Sequence, residues 1–367
     1  MIEKPWSFCI LTFGCKVNQY ETESIREAWI ACNGHEAGTE EAADLVCINS
    51  CAITAKAERD ARQALYHIHK RHPAAIVILT GCAAALFPSF HPLRNQTPVE
   101  PTILLRQHEK ACLLEESFIA RLLAKKDAET NNASCSISSE TPYGDQEEKG
   151  PVSLSDGSAT PYPPFQIRSC LRARPVLKVQ DGCSHRCTYC IVPSMRPTPS
   201  SRSHEDILKE ARTLLAKGYP ELILSGINLK QYGKGQPGCG DLWDLITVLD
   251  RELSPEFPRA RIRISSVEPS QLTPRGIEVL GKSTILCKQL HLSLQHVCPA
   301  ILRYMGRGHY SGETVQKAID ALTEVWPVFG LGCDIISGFP YETEDDHMRL
   351  KDFCAAMPFT YAHVFPY

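Results

Sequence analysis

The chain has 367 residues, 43% of them hydrophobic, with a formal net charge of -3 and 17 cysteines. That length and apolar fraction support two domains with cores of their own and exclude a globally disordered chain. No run approaches the ~20 apolar residues of a membrane helix. The opening "MIEKPWSFCILTFGC" has too short an apolar run, and no cleavage pattern, for a secretory signal. A cytoplasmic protein with reduced thiols is expected, and grouped cysteines in that setting read as metal-binding or catalytic.

In chain order, "SFCILTF" is strand-like and is followed by a helix that Asn18 would cap, running to about Cys32. "DLVCINS" is a second strand. The next helix, "TAKAERDARQALYHIHKRH", has Thr54 as its N-cap, Ala57, Ala61, Ala64, Leu65 and Ile68 on one side, and a stop at Pro73. "AAIVILT" is a third strand. This alternation predicts a doubly wound α/β domain with a parallel sheet. Cys15, Cys51 and Cys82 each fall just past one of these strands, in "TFGC", "INSC" and "LTGC". Parallel strands present their carboxyl ends on one edge, where ligands bind, so the three thiols are expected to converge.

From Asp127 to Phe165 the sequence turns rich in Ser, Thr, Pro and Gly and carries seven acidic residues against Lys149 alone, a local -6 that leaves +3 for the remainder. It reads as a linker or disordered insertion, and the mild positive excess elsewhere is compatible with RNA contact. Beyond it the alternation resumes: "PVLKVQ", "ELILSG", "RIRISSV", "QLHLSLQ", "GCDIISGF" and "YAHVFPY" are six strands joined by five helical crossovers, a partial β/α barrel ending at its sixth strand. The expected organisation is a first domain over 1–126, the linker over 127–165 and the barrel over 166–367.

Directly after the first barrel strand, "DGCSHRCTYCIVPSMRP" places Cys183, Cys187 and Cys190 in a C-x3-C-x2-C array. A structural zinc site needs four protein ligands, and His185 and His204 are poorly placed to be the fourth. Three thiolates suit a [4Fe-4S] cluster with one open iron, although four-cysteine ligation is commoner. The loop lies where barrel enzymes keep their chemistry. Arg168, Arg172, Arg174 and Lys178, just before the triplet, are candidates for phosphate contact. The basic end of "ARQALYHIHKRH" is accounted for by the negative helix C-terminus. The eleven other cysteines have no ligand spacing and read as small buried hydrophobes.

The pattern C-x3-C-x-Tyr-C resembles the radical S-adenosylmethionine superfamily, and together with Cys15, Cys51 and Cys82 the chain resembles the methylthiotransferases of that superfamily. "GCKVNQYETE" is similar to the branch that modifies N6-threonylcarbamoyladenosine beside the tRNA anticodon; the isopentenyladenosine branch reads closer to GCQMN and the ribosomal-protein branch closer to GCPKN. "SGINLKQYG", "RIRISSVEP" and "GFPYETEDD" agree with the same broad family.

The resemblance implies a second [4Fe-4S] cluster on Cys15, Cys51 and Cys82. It also implies reductive cleavage of S-adenosylmethionine at Cys183, Cys187 and Cys190, and transfer of a methylthio group to C2 of the adenine. Such a C–H bond is closed to ordinary acid–base chemistry, so the cofactors carry the reaction and no side chain is assigned as catalytic. By motif position, Tyr189 would pack beside the cluster, Gly226 and Asn228 would meet the methionine end of the cofactor, Ser266 and Glu268 its ribose, and Asp334 and Gly338 its adenine. The implied partners are tRNA, an electron donor such as flavodoxin or ferredoxin, and a sulfur source, around a monomer with no membrane association.

The family continues into a small RNA-gripping β-barrel domain that is absent from this sequence. Within the barrel, "LQHVCPA" with His296 and Val297, Pro197 after Arg196, and Tyr341 in "GFPYE" depart from its pattern, the last two where Gly is usual. The alternatives are the isopentenyladenosine branch or a truncated iron–sulfur protein that modifies no tRNA.

Overall fold

The computed structural model describes residues 2–38, 40, 43–86, 99–131 and 162–367. Its first domain is a five-stranded, wholly parallel sheet in the order β2-β1-β3-β4-β5. Chain order runs β1 (Trp6–Thr12), α1 (Lys16–Ala31), β2 (Gly34–Glu36), β3 (Leu45–Ser50), α2 (Ala55–Arg71), β4 (Ile76–Gly81), β5 (Ile103–Leu104) and α3 (Glu116–Asn131). The three expected strands are β1, β3 and β4; β2 and β5 are too short to show a period. Strand order reverses between β1 and β3, and in such sheets the crevice for ligands opens at that point.

The α2 helix begins at its expected cap: the Thr54 side chain accepts from the Ala57 N–H, and Ala61, Leu65 and Ile68 form the buried stripe. The α1 expectation needs correction. Its N-cap is Cys15, with no side-chain capping bond, and Asn18 lies inside the helix. The Asn18 amide is fully buried and donates to the Phe13 carbonyl at 3.2 Å and the Ser50 carbonyl at 2.7 Å. It ties the Cys15 loop to the Cys51 loop, a cross-chain role that local capping preference does not reveal.

The second domain contains β6 (Val176–Asp181), α4 (Val192–Met195), β7 (Ser200–Ser201), α5 (His204–Ala216), β8 (Glu221–Gly226), α6 (Leu242–Leu253), β9 (Arg261–Ile264), α7 (Pro274–Lys282), β10 (Gln289–Gln295), α8 (Pro299–Tyr304), α9 (Gly312–Val325), β11 (Gly330–Ser337), α10 (Glu344–Ala356) and β12 (Tyr361–Pro366). β6, β8 and β9 pair in parallel, as do β10, β11 and β12. Parallel bridges Ile262–Leu286 and Val267–Leu292 join the two sets into one curved wall. The short β7 adds antiparallel to the outer edge of β6. This is the six-stranded partial barrel, whose helices start on Ser203, Asp241, Thr273, Ser311 and Thr343, each accepting a hydrogen bond from the first turn.

The two domains meet where α1 packs on β6 and β8. Most of the expected linker, 132–161, lies outside the described residues. At its margins the structure moves the expected boundaries: α3 runs on to Asn131, and Phe165 is buried against the barrel with Tyr162 donating to the Lys178 carbonyl at 3.2 Å. Among the described residues no helix is long and apolar enough to cross a membrane.

Candidate iron–sulfur and radical site

Cys15, Cys51 and Cys82 follow β1, β3 and β4 and converge at the switch point of the first sheet. Two glycines allow it. Gly14 has φ +90°, and a Cβ there would lie 2.3 Å from the Cys51 Sγ; Gly81 has φ +92°, and its Cβ would lie 2.2 Å from the Ser50 carbonyl. Only glycine permits both this backbone and this approach. The Cys51 thiol donates to Cys15, which lowers the Cys15 thiol to about 6, with Arg196 helping against the cost of burial. Elsewhere burial pushes thiols up, to about 11 at Cys9 and Cys298 and about 12 at Cys47, as expected for buried fillers.

The second triplet sits at the carboxyl end of β6. The Cys183 N–H donates to the Arg196 carbonyl at 2.9 Å, and the Cys190 N–H to the Cys187 carbonyl at 3.0 Å. The Cys183 Sγ accepts from the His185 N–H and from the Asn228 side-chain amide, both at 3.4 Å. Neither proposed zinc substitute completes a tetrahedron: His185 turns toward Glu268, 3.7 Å away, and His204 stacks on Tyr232.

The donor set distinguishes a single ion from a cluster. Among the described residues, the only three His, Cys or carboxylate ligand atoms all within 4.8 Å of one another belong to His291, Asp334 and His363. Both thiol triplets are therefore more open than a zinc site, where Zn–S bonds of about 2.3 Å set sulfurs roughly 3.8 Å apart. They fit a larger inorganic core.

Between the two cysteine loops lies a buried ionic network that sequence reading missed. Glu21 and Lys110, fully buried, pair at 2.6 Å; Lys178, also fully buried, lies 2.7 Å from both Glu21 and Asp181. The Arg196 guanidinium bonds Glu21 at 2.8 Å and Asp181 at 2.7 Å. Lys178 is thereby removed from the phosphate-contact candidates. Three cations face two carboxylates, an excess of one positive charge, and the Arg196 Nε is buried with no partner. α4, which leads into Arg196, packs on the 3-10 turn that starts at Cys82. A four-iron cluster on Cys15, Cys51 and Cys82 suits that surplus, since three thiolates outweigh a dicationic core by about one charge.

The expected cofactor contacts divide into two groups. Near the second triplet, the Gly226 position is set by Gln180, whose Cβ would be 2.8 Å from an added side chain. The same Gln180 side chain accepts from the Asn228 N–H at 2.8 Å, holding Asn228 against Cys183. Tyr189 receives a bond from Arg307 at 3.1 Å. Glu268 is almost fully enclosed: Lys230 and His309 lie at 2.6 Å, Arg307 at 3.5 Å and the Ser270 hydroxyl at 2.6 Å. Burial alone would raise its carboxyl, but Lys230, Ser270 and Arg307 hold it down at about 2. Glu268 is thus an ionised hub enclosed by Lys230, His309, Arg307 and Ser270, with His185 beyond them. Ser266 is half-buried two residues before it.

Asp334 and Gly338 are four positions apart, about 13 Å at roughly 3.3 Å per residue. Gly338 lies in the exposed turn beyond β11, its N–H donating to Glu342 at 2.6 Å. Asp334 faces the barrel lumen, where its Oδ1 meets His291 Nε2 at 2.9 Å and His363 Nδ1 at 3.2 Å.

The departures from the family pattern have physical form. Tyr341 has φ +70°, in the left-handed region that favours glycine, and its ring is exposed. His296 is fully buried; its Nδ1 accepts from the Cys298 N–H at 3.0 Å, and burial lowers its pKa against the pull of Glu342.

Residues 177–354 match the Radical SAM superfamily, and residues 7–99 match the Uncharacterized protein family UPF0004. The threonylcarbamoyladenosine tRNA methylthiotransferase of Bacillus subtilis (strain 168) is 30% identical over 356 residues, 97% of this chain and 72% of the relative. The chain belongs to the radical S-adenosylmethionine methylthiotransferase family. A namesake of the Bacillus protein in Aquifex aeolicus is 29% identical across 97% of this chain and 79% of its own length. The tRNA-2-methylthio-N(6)-dimethylallyladenosine synthase of Treponema denticola is 30% identical, covering 97% and 76%. Among solved structures, the radical S-adenosylmethionine methyltransferase TsrM of Kitasatospora setae matches with a TM-score of 0.62 at 14% identity, covering 98% of this chain and 72% of that one. That likeness establishes the fold. The methylthiotransferase is thus a radical enzyme whose family chemistry uses S-adenosylmethionine and a [4Fe-4S] cluster.

Proposed function

We propose that this methylthiotransferase acts on tRNA, adding a methylthio group to C2 of N6-threonylcarbamoyladenosine beside the anticodon, with two [4Fe-4S] clusters. The observation that carries the reading is the placement of two open thiol triplets on either side of one buried network, one in each domain. Cys183, Cys187 and Cys190 would hold the cluster that works with S-adenosylmethionine, and Cys15, Cys51 and Cys82 the auxiliary one. When bound, these groups supply the radical and the sulfur that an unactivated C–H bond requires.

The chain's own residues position and insulate. Asn228, held by Gln180, supports the Cys183 thiolate and the cofactor beside it; Gly226 keeps that approach clear. Tyr189 and Arg307 brace the other side. Ser266 and Glu268 lie toward the ribose, with Glu268 acting through Lys230, Arg307 and His309. Gly338 borders the rim beyond β11. The electron donor, such as flavodoxin or ferredoxin, and the sulfur source are external, and the protein works as a cytoplasmic monomer.

The threonylcarbamoyl substrate is favoured over dimethylallyladenosine because "GCKVNQYE" resembles that branch, and because similar curated relatives in Aquifex aeolicus and Bacillus subtilis bear the threonylcarbamoyladenosine name. The second reading, the dimethylallyl substrate, draws on relatives such as that of Treponema denticola. Expression in a host lacking both activities, followed by mass spectrometry of tRNA nucleosides, separates them. New 2-methylthio-threonylcarbamoyladenosine supports the first reading; only the dimethylallyl product, or neither, removes it. Anaerobic reconstitution should give about eight irons per chain, falling to about four in Cys51→Ala.

A further inference from the structure

The last three strands of the barrel bring together a ligand set that neither cysteine triplet uses. β10, β11 and β12 are parallel and in register: His291 stands opposite Gly332, Gly332 opposite Tyr361, and Asp334 opposite His363. Residues two apart on a strand share a face, so Asp334 and His363 project on the same side of the sheet as His291. Asp334 Oδ1 lies 2.9 Å from His291 Nε2 and 3.2 Å from His363 Nδ1, and all three ligand atoms fall within 4.8 Å of one another. His291 is buried, Asp334 half-buried and His363 exposed, which gives the group a fixed inner wall and an open approach. The lumen arginines Arg263, Arg174 and Arg261 are drawn to Glu221, at 2.7, 3.5 and 3.8 Å, and among the described residues Asp334 is left to the imidazoles.

The innermost ligand is held from behind. The far nitrogen of His291, Nδ1, meets the Tyr361 hydroxyl at 3.1 Å, and the two rings stack with centroids 5.6 Å apart. Glycine at 332 makes room for this: a Cβ there would lie 2.2 Å from the Tyr361 ring and 2.6 Å from its hydroxyl. A hydrogen bond to the far imidazole nitrogen fixes the ring and its tautomer, as it does around metal-bound histidine.

We propose that His291, Asp334 and His363 bind one divalent cation of the zinc class, which clips β12 to β10 and β11. Two imidazoles and a carboxylate suit such an ion. Zinc bonds of about 2.0–2.2 Å set tetrahedral ligand atoms roughly 3.4 Å apart, and rotation of the exposed His363 ring brings the group to that spacing. Water completes the fourth position. Without the ion, each imidazole donates to Asp334. On binding, the two protons move to the opposite ring nitrogens, at His291 toward the Tyr361 oxygen, and none is lost. The strand that gains most is β12: it is the edge of its sheet, and all six of its residues are exposed. An ion bound only by the folded form adds its binding free energy to the hold on that strand.

The test uses the anaerobically reconstituted full chain, dialysed against chelator-buffered zinc, with zinc and iron counted in the same sample. The wild type should take up one zinc per chain beyond its iron. X-ray absorption at the zinc edge should show nitrogen and oxygen neighbours at about 2.0–2.1 Å and no sulfur at about 2.3 Å. His363→Gln and Asp334→Asn should each abolish that zinc and leave the iron unchanged. Tyr361→Phe, which removes only the support behind His291, should weaken zinc binding about tenfold. Zinc should raise the melting temperature of the wild type and leave that of His363→Gln where it was. Should Asp334→Asn fold poorly, His363→Gln decides, because its side chain is exposed. No zinc bound, zinc whose neighbours are sulfur, or zinc retained by His363→Gln overturns the site.

Discussion

Two ionic clusters a short distance apart follow opposite rules. At the domain junction, Glu21, Lys110, Lys178, Asp181 and Arg196 are buried, and each carboxylate is met by at least two cations within 3 Å. In the barrel lumen, Glu221 is buried but its arginines are partly or largely exposed, and one carboxylate is shared among three of them. Paired charge at full burial serves architecture, because the cost of desolvation is recovered only inside the network. Surplus charge at partial exposure is tolerable because water screens it. The junction's single excess positive charge lies beside the thiols of Cys15 and Cys82.

The sharpest way to break this comparison is Arg196→Met. Removing it takes a charge-assisted hydrogen bond from both Glu21 and Asp181 in a dry interior, leaving Lys110 and Lys178 to serve them, and roughly 3 kcal/mol of stability should be lost in denaturant titration. A cost below about 1 kcal/mol would place the junction with the lumen.

Glu268 tests the same rule near the second triplet through pH. Its folded pKa is depressed from 4.5 to about 2, so its contribution is complete above about pH 4.5 and is lost as pH falls toward 2. That difference is worth about 3 kcal/mol. Glu268→Gln should therefore lower stability at neutral pH and flatten the acid limb between pH 4.5 and 2; an unaltered limb would mean that its partners hold it no more tightly than solvent does.

Tyr341→Gly relieves a left-handed backbone on the surface and should raise stability by about 1 kcal/mol, seen as a small rise in melting temperature. Smallest of all, Arg263→Gln should change stability by less than about 1 kcal/mol, because its pair with Glu221 is partly exposed and Arg174 remains. A large loss would make the lumen a structural network after all.

Much of the site was legible because its chemistry is local. Cys183, Cys187 and Cys190 sit within eight residues, and Cys15, Cys51 and Cys82 each mark a strand end, where continuous apolar runs stop. Thr54 capped its helix as expected because capping involves neighbours three residues apart. Asn18 did not, since its partners, Phe13 and Ser50, belong to separate loops. Lys178 looked like a phosphate contact because it stands with three arginines just before the triplet, and nearness in sequence does not say whether a cation meets water or another domain.

By itself, then, the sequence determined the α/β order and the radical S-adenosylmethionine methylthiotransferase family, both carried by short-range pattern. Only the tertiary structure decided how the charges are shared: Glu21 against Arg196 across 175 residues, Glu268 enclosed by His309 and Lys230, and Glu221 divided among three arginines. Charge balance is a sum over everything within a few ångströms, and those neighbours are assigned by the fold.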